Sequence, residues 1–207
     1  MTNCLLRRST TAVLTALFIL LGGCSSSSPT RFYVLRSLSD SMNKKELQVP
    51  DREHCVSIGV GPVRVADYLD RPQIVTRVTL NEVKVAEFDQ WAEPLEQNIS
   101  RVLADNLSVL LCTKVVVLFP WNASIPIDYQ IEVEINRLDG NLGGESTLEA
   151  QWMAFDLRGS KQLLAAKKMS FTEPTGGQDY QALVSSESRA LQALTRDIAE
   201  TLKTSYR

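Results

Sequence analysis

Residues 129–136 read Tyr-Gln-Ile-Glu-Val-Glu-Ile-Asn. Tyr129, Ile131, Val133 and Ile135 share one parity, and Gln130, Glu132, Glu134 and Asn136 share the other. A strand turns successive side chains to opposite faces, so this segment lays an apolar face on a core and a polar face toward water. Asp139-Gly140 through Gly143-Gly144 then marks a turn, and residues 148–157 return as a strand. Arg158-Gly159 turns again into a strand at residues 162–171. Three strands joined by short turns read as an antiparallel meander.

Working upstream, residues 114–119 form a continuous apolar run, which predicts a buried strand. Before it, Leu95, Ile99, Val102, Leu103, Leu107, Leu110 and Leu111 recur at steps of three and four, the stripe of an amphipathic helix. Pro94 precedes them where a first helical turn tolerates proline. Residues 74–78 and 83–88 predict a hairpin, and residues 56–65 a strand. Pro62 has no N–H, so that strand bulges or lies at an edge there. Residues 31–38 predict a first strand, followed by a polar connection over 39–53. Downstream, Pro174-Thr175-Gly176-Gly177 breaks the pattern. Tyr180, Leu183, Val184, Leu191, Leu194, Ile198 and Leu202 then stripe a second helix. Strands and helices that do not alternate strictly predict an α+β fold over residues 31–207: a mixed, largely antiparallel sheet packed against two long amphipathic helices.

The 207 residues carry 22 basic and 24 acidic side chains and one histidine. A net charge of −2 gives no basic field for nucleic acid. One histidine excludes sites that need two imidazoles. The first 23 residues read as a signal segment: Arg7 and Arg8, then an apolar stretch from Thr11 to Leu21 shorter than a membrane span. Leu21-Gly22-Gly23-Cys24 resembles the bacterial lipobox, in which the cysteine is acylated and the chain cut before it. The polar run over 25–30 is a tether spanning at most about 20 Å. The acyl groups expected on Cys24, a diacylglycerol and an N-acyl chain, hold a protein at a bilayer stably because more than one chain is buried. Removing 23 residues leaves 184, and losing two arginines brings the charge to −4. With Cys4 removed and Cys24 acylated, Cys55 and Cys112 remain, either as a disulfide or as two separate buried thiols.

Catalytic constellations are sparse. His54 and Cys55 are adjacent, so in a strand they point to opposite faces and make an awkward dyad. Gly59-Val60-Gly61-Pro62 matches neither phosphate-loop fingerprint, and no G-x-S-x-G elbow occurs. Asp67 and Asp70 are two acids alone, too few for a cation site. Ser185, Ser186 and Ser188 read as a solvated or small-residue helix face. Asn98, Asn106 and Asn122 open N-x-S patterns without weight in such a chain. Trp91, Trp121 and Trp152 suit core packing or the lining of an apolar groove.

Several segments in order carry a resemblance: Phe32-Tyr33-Val34-Leu35, then Ile58-Gly59-Val60-Gly61-Pro62-Val63, then Tyr68-Leu69-Asp70-Arg71-Pro72-Gln73-Ile74-Val75-Thr76-Arg77. Phe88-Asp89-Gln90-Trp91-Ala92-Glu93-Pro94-Leu95 follows, ahead of a helix containing Leu103-Ala104-Asp105-Asn106-Leu107. Together these resemble the PqiC/YmbA family of ABC-type transport auxiliary lipoproteins. The resemblance implies a subunit without catalytic residues or a cofactor, anchored in the inner leaflet of the outer membrane and facing the periplasm of a Gram-negative bacterium. Ser25 in place of Asp agrees with outer-membrane sorting of such lipoproteins. The implied partners are an MCE-domain tunnel protein of PqiB type and an inner-membrane protein of PqiA type, in a system moving lipid or maintaining the envelope. A homo-oligomeric ring is implied as well. Within the shared motif, Pro72 and Pro94 are expected to fix the backbone, with Asp70, Arg71, Trp91 and Glu93 holding a sheet–helix junction; the alternative reading makes Tyr68, Asp70, Arg71, Gln73 and Arg77 candidate partner-interface residues. A second functional reading is a lipid-binding carrier, and a third, an envelope hydrolase, lacks a nucleophile constellation.

Overall fold

In the computed structural model, the described residues are 28–41 and 55–205. The expected signal segment, Cys24, most of the serine tether and His54 lie outside them. The strands are β1 (Arg31–Tyr33), β2 (Val56–Val65), β3 (Gln73–Arg77), β4 (Val83–Trp91), β5 (Thr113–Leu118), β6 (Tyr129–Gly140), β7 (Glu145–Asp156) and β8 (Gln162–Pro174). Two helices, α1 (Leu95–Leu110) and α2 (Tyr180–Ser205), complete the fold. They are 16 and 26 residues long, so α1 is shorter than the long helix expected.

β6, β7 and β8 are the antiparallel meander that the alternation predicts, with Val133 opposite Trp152 and Trp152 opposite Lys167. Tyr129, Ile131, Val133 and Ile135 are all buried, as are Leu148, Ala150, Trp152 and Ala154 across from them. The alternation slips at a bulge after Ile135, which lets Leu138 and Asp139 also go inside. β2 lies between β5 and β6, parallel to both, and bulges between Val60 and Val63 around Pro62. Proline in a central strand removes a ladder donor, and a bulge absorbs that loss.

The expected single sheet is instead two. Strands β5-β2-β6-β7-β8 form one, and β1-β4-β3 form a smaller second one. The β3–β4 hairpin pairs antiparallel, while β1 pairs parallel with β4, Arg31 opposite Asp89. Three of the six strand pairings are parallel, so the fold is mixed α+β and less antiparallel than expected.

The segment 114–119, expected to be buried, is an edge strand. β5 has β2 as its one partner, and Val115, Leu118 and Phe119 are exposed, Phe119 by 54%. Residues 34–38, expected as strand, run instead as an irregular strap over the helices. Its N–H groups are taken by side chains: Leu35 donates to Asn98 Oδ1 (2.7 Å), Arg36 to Ser188 Oγ (3.1 Å) and Leu38 to Asn106 Oδ1 (2.6 Å). Buried backbone donors need partners, and these acceptors replace a sheet ladder.

α1 starts at Pro94 and buries Leu95, Ile99, Val102, Leu103 and Leu107; it stops where Leu111 becomes extended. Asp179 caps α2 by accepting the Ala182 N–H at 2.8 Å. Both helices cover the apolar side of the larger sheet, and Trp152 is buried completely beneath them. On α2, Ser185 is half-exposed whereas Ser186 and Ser188 are buried, each satisfied by a carbonyl one turn back.

Candidate functional site

The two motif segments meet at one end of the smaller sheet. Trp91, the last residue of β4, donates its N–H to the Pro72 carbonyl just ahead of β3 (2.7 Å). Ala92 donates to the Tyr33 carbonyl (2.9 Å), so the same corner also binds β1. Between residues 70–72 and 91–95 lies a groove of about 330 Å³. Buried Trp91 and Leu95 form its apolar part, and Asp70, Arg71, Pro72, Ala92 and Pro94 stand exposed around it. The tryptophan placement therefore joins two readings, since Trp91 packs in the core and also lines a groove. Trp152 is wholly core, and Trp121 lies against Gly59, where a Cβ would come within 2.7 Å of its ring.

Glu93 fixes the groove to α1. Its carboxylate accepts from Asn98 Nδ2 and from the Arg101 guanidinium. The Arg101 hydrogen bond holds the Glu93 carboxyl below the usual carboxylate range. Asn98 is fully buried and also takes the Leu35 N–H, so strap, helix and groove share one amide. Asn106 repeats the device two turns on, with Leu38 on its oxygen and Thr195 of α2 on its nitrogen.

The candidate interface residues separate. Asp70 and Arg71 are exposed at the groove, and Gln73 opens β3 half-buried. Tyr68 and Arg77 turn inward to Asp139, whose side chain is wholly buried. Tyr68 donates its hydroxyl to Asp139 Oδ2 (2.8 Å), Arg77 donates through Nε (3.2 Å) and Nη2 (2.5 Å), and Arg137 donates through Nε (2.9 Å). Burial alone would raise the Asp139 pKa; these hydrogen bonds outweigh it and bring the net shift downward. Burial and the Asp139 bond push the Tyr68 hydroxyl up. A second buried aspartate, Asp89, holds Arg31 and accepts the Tyr33 hydroxyl at 2.7 Å. Burial and that bond push the Tyr33 pKa up to about 12.

Cys55 and Cys112 are brought together by the parallel pairing of β2 and β5, with Cα atoms 4.7 Å apart, inside the span a disulfide requires. Glu187 of α2 is fully buried, and neither carboxyl oxygen has a hydrogen-bond partner among the described residues. Burial, with the Asp139 charge adding to it, drives its pKa well above the ordinary value. Sequence reasoning missed Glu187, Asp139, Asn98 and Asn106, although Glu187 falls four residues from both Leu183 and Leu191 on the apolar stripe.

The described residues thus assemble an α+β module with a surface groove and two buried aspartate networks. Among them no three His, Cys, Asp or Glu side chains gather as a metal site, and no helix is long and apolar enough to cross a membrane. A model of the ABC-type transport auxiliary lipoprotein component matches residues 37–199, and the chain belongs to that family. It is an auxiliary lipoprotein component of a transport system. No curated protein matches the chain in sequence. A crystal structure of an uncharacterized protein superposes with a TM-score of 0.67 at 18% identity, covering 84% of this chain and 99% of that one. A Xanthomonas campestris protein, from a family of unknown function, gives 0.62 at 18% identity, covering 84% and 98%. Both likenesses concern the fold.

Proposed function

We propose that this protein is an outer-membrane lipoprotein, acylated on Cys24, that docks an MCE-domain tunnel protein at the periplasmic face of that membrane. It performs no catalysis in this reading. The observation that carries it is the groove at residues 70–72 and 91–95: two segments of the family motif build one surface feature, with Asp70 and Arg71 pointing outward. An exposed charged pair around a buried tryptophan has the makeup of a recognition surface, an apolar anchor with a polar rim. A groove of this volume sits at the low end for a small-molecule site, which disfavours the lipid-carrier reading. A ring of several copies would present several such grooves to one tunnel.

The test is co-purification after crosslinking in cells. The wild-type protein should bring down an MCE-domain protein. The charge reversals Asp70→Lys and Arg71→Glu should abolish the capture while leaving the thermal melt unchanged. Repeated failure of the wild type to capture such a protein refutes the docking role. Undiminished capture by the reversed variants moves the interface away from the groove.

A further inference from the structure

β1 runs parallel to β4, with Arg31 opposite Asp89 and Tyr33 opposite Trp91. β4 itself runs from the β3–β4 turn at Val83 to the groove at Trp91. Residues preceding Arg31 therefore approach the smaller sheet from the turn side, and Ser28, Pro29 and Thr30 are all exposed there. Cys24 lies seven residues before Arg31, and the turn at Glu82 is closer to Asp89 than seven strand rises because β4 bulges between Val85 and Gln90, so seven residues are enough to reach the turn. The chain between Cys24 and Ser28 reaches about 14 Å at most. The tether thus has the length to bring Cys24 level with the hairpin tip, at the end of the sheet opposite the groove.

That tip exposes three apolar side chains among its polar ones, where a solvent-facing turn is ordinarily polar. Residues 78–83 read Val-Thr-Leu-Asn-Glu-Val, with Glu82 the one charge. Leu80 is 91% exposed, and Val78 and Val83 are exposed beside it. The tip is closed by the Val78 N–H on the Glu82 carbonyl (2.9 Å). Arg77 braces it further, donating to the Leu80 carbonyl (3.3 Å) and to Asp139 with the same guanidinium. A braced hairpin presents its leucine without an entropic penalty for ordering the loop. Leu142, in the turn that follows Asp139 and β6, is a further exposed apolar side chain.

We infer that the β3–β4 tip is a membrane-contact element: Leu80, with Val78 and Val83, seats in the headgroup–acyl boundary of the leaflet that holds the Cys24 acyl chains. The inference rests on the acylation reading. An apolar side chain held at the interface adds to the anchor and fixes which face of the domain points away from the bilayer.

The test uses the full-length protein purified from membranes and reconstituted in vesicles of phosphatidylethanolamine and phosphatidylglycerol. An environment-sensitive fluorophore is attached at Leu80→Cys or, as the far-end control, at Gly159→Cys in the β7–β8 turn; labelling is done without reductant. Lipids spin-labelled near the headgroup should quench the Leu80 probe several-fold more than the Gly159 probe, with a blue-shifted emission at Leu80 alone. Equal quenching in protein that floats with the vesicles refutes the orientation. A blue shift at Leu80 without lipid quenching also refutes it, and assigns the tip to a contact with a second copy. Protein that fails to float, and whose mass lacks acyl chains, refutes the acylation reading and the inference with it.

Discussion

Replacing Glu187 by glutamine should make stability less sensitive to pH, and the direction follows from where the carboxyl sits. It is fully buried on α2, has no hydrogen-bond partner among the described residues, and lies near the Asp139 carboxylate that already accepts from Arg77, Arg137 and Tyr68. Ionising it there means placing an uncompensated charge in a low-dielectric interior beside a like charge, so the folded state retains the proton. An unfolded chain gives it up near the ordinary value of 4.5. Below that pH both states are protonated, and the residue contributes no pH dependence. Above it the folded state binds one more proton than the unfolded state, so stability falls as pH rises, at about 1.4 kcal/mol per pH unit. The loss levels off once the raised folded pKa is passed. A pH of 7 lies 2.5 units above 4.5, so the loss there is at most roughly 3 kcal/mol, reached only if the folded state keeps the proton to that pH. Glu187→Gln keeps the shape and never ionises, so its lead over wild type should open from near pH 5 and widen to pH 7. For a domain of this size a lead of that magnitude would be at most roughly 6–12 °C in Tm. Urea denaturation of both proteins at pH 5, 6, 7 and 8 reads the difference directly. A difference that stays flat across the series would show that Glu187 ionises freely in the fold, and the burial argument would be wrong.

Three further outcomes test the other buried features. Asp139→Ala should destabilise by about 3–5 kcal/mol, since Arg77, Arg137 and Tyr68 lose a shared acceptor. In wild type the Asp139 contribution is present above its unfolded pKa near 3.8 and is lost as pH falls through its lower folded value, so acid unfolding should begin later in wild type than in the variant. Asn106→Ala strips the Leu38 N–H of its acceptor and removes the donor to Thr195 Oγ1, which keeps its bond to the Leu191 carbonyl, and should cost about 1–3 kcal/mol by chemical denaturation, with faster hydrogen exchange at Leu38. Protein prepared without reductant should carry Cys55 and Cys112 as a disulfide, seen as a 2 Da mass increase on reduction; for a separation of 57 residues, opening it should cost about 4 kcal/mol.

The strands that were legible in sequence were those with one buried face. Alternation from Tyr129 to Ile135 is a local record of a half-buried strand, and the turns after it leave an antiparallel partner as the economical pairing. Pro62 likewise announced a bulge because a missing donor is a local fact. What stayed hidden was decided by residues far apart in the chain. The apolar run at Thr113–Leu118 has the composition of a buried strand, yet it lies at the sheet edge because β6 rather than β5 continues the sheet beyond β2. β1 ended early because Asn98, Ser188 and Asn106 supply acceptors that no window around residues 34–38 contains. The candidate interface divided for the same reason. Within the motif Tyr68 and Arg77 look as available as Asp70 and Arg71, and the buried Asp139, 62 residues after Arg77, draws the first pair inward. Asn98, Asn106 and Glu187 were detectable as polar residues on apolar stripes, a pattern that demands a buried partner or a retained proton.

The smaller sheet gives the two proposed surfaces a fixed relation. Gln90 pairs with Gln73 and Val83 with Arg77, so four rises of β3 at about 3.4 Å set the two ends of the hairpin roughly 14 Å apart, the extra residues of β4 being taken up in a bulge. The leucine tip lies at one end of that strand and the Asp70–Trp91 groove at the other. Neither end is free to swing. Arg77 and Tyr68 lock β3 and the loop before it onto Asp139 in the larger sheet, and Glu93 with Asn98 locks the groove to α1. A tether alone would let a globular domain tumble over the membrane and present every face in turn. On the two proposals together, an apolar tip beside the anchor would remove that freedom, and the groove would stand at a set height facing the periplasm, where a partner reaching from the inner membrane would meet it. Cutting the Arg77–Asp139 link should therefore weaken partner capture even though neither residue touches the groove. Arg77→Gln in the co-purification assay measures this: loss of capture with floatation intact is the expected result, and full capture would mean that the two ends of the sheet act independently.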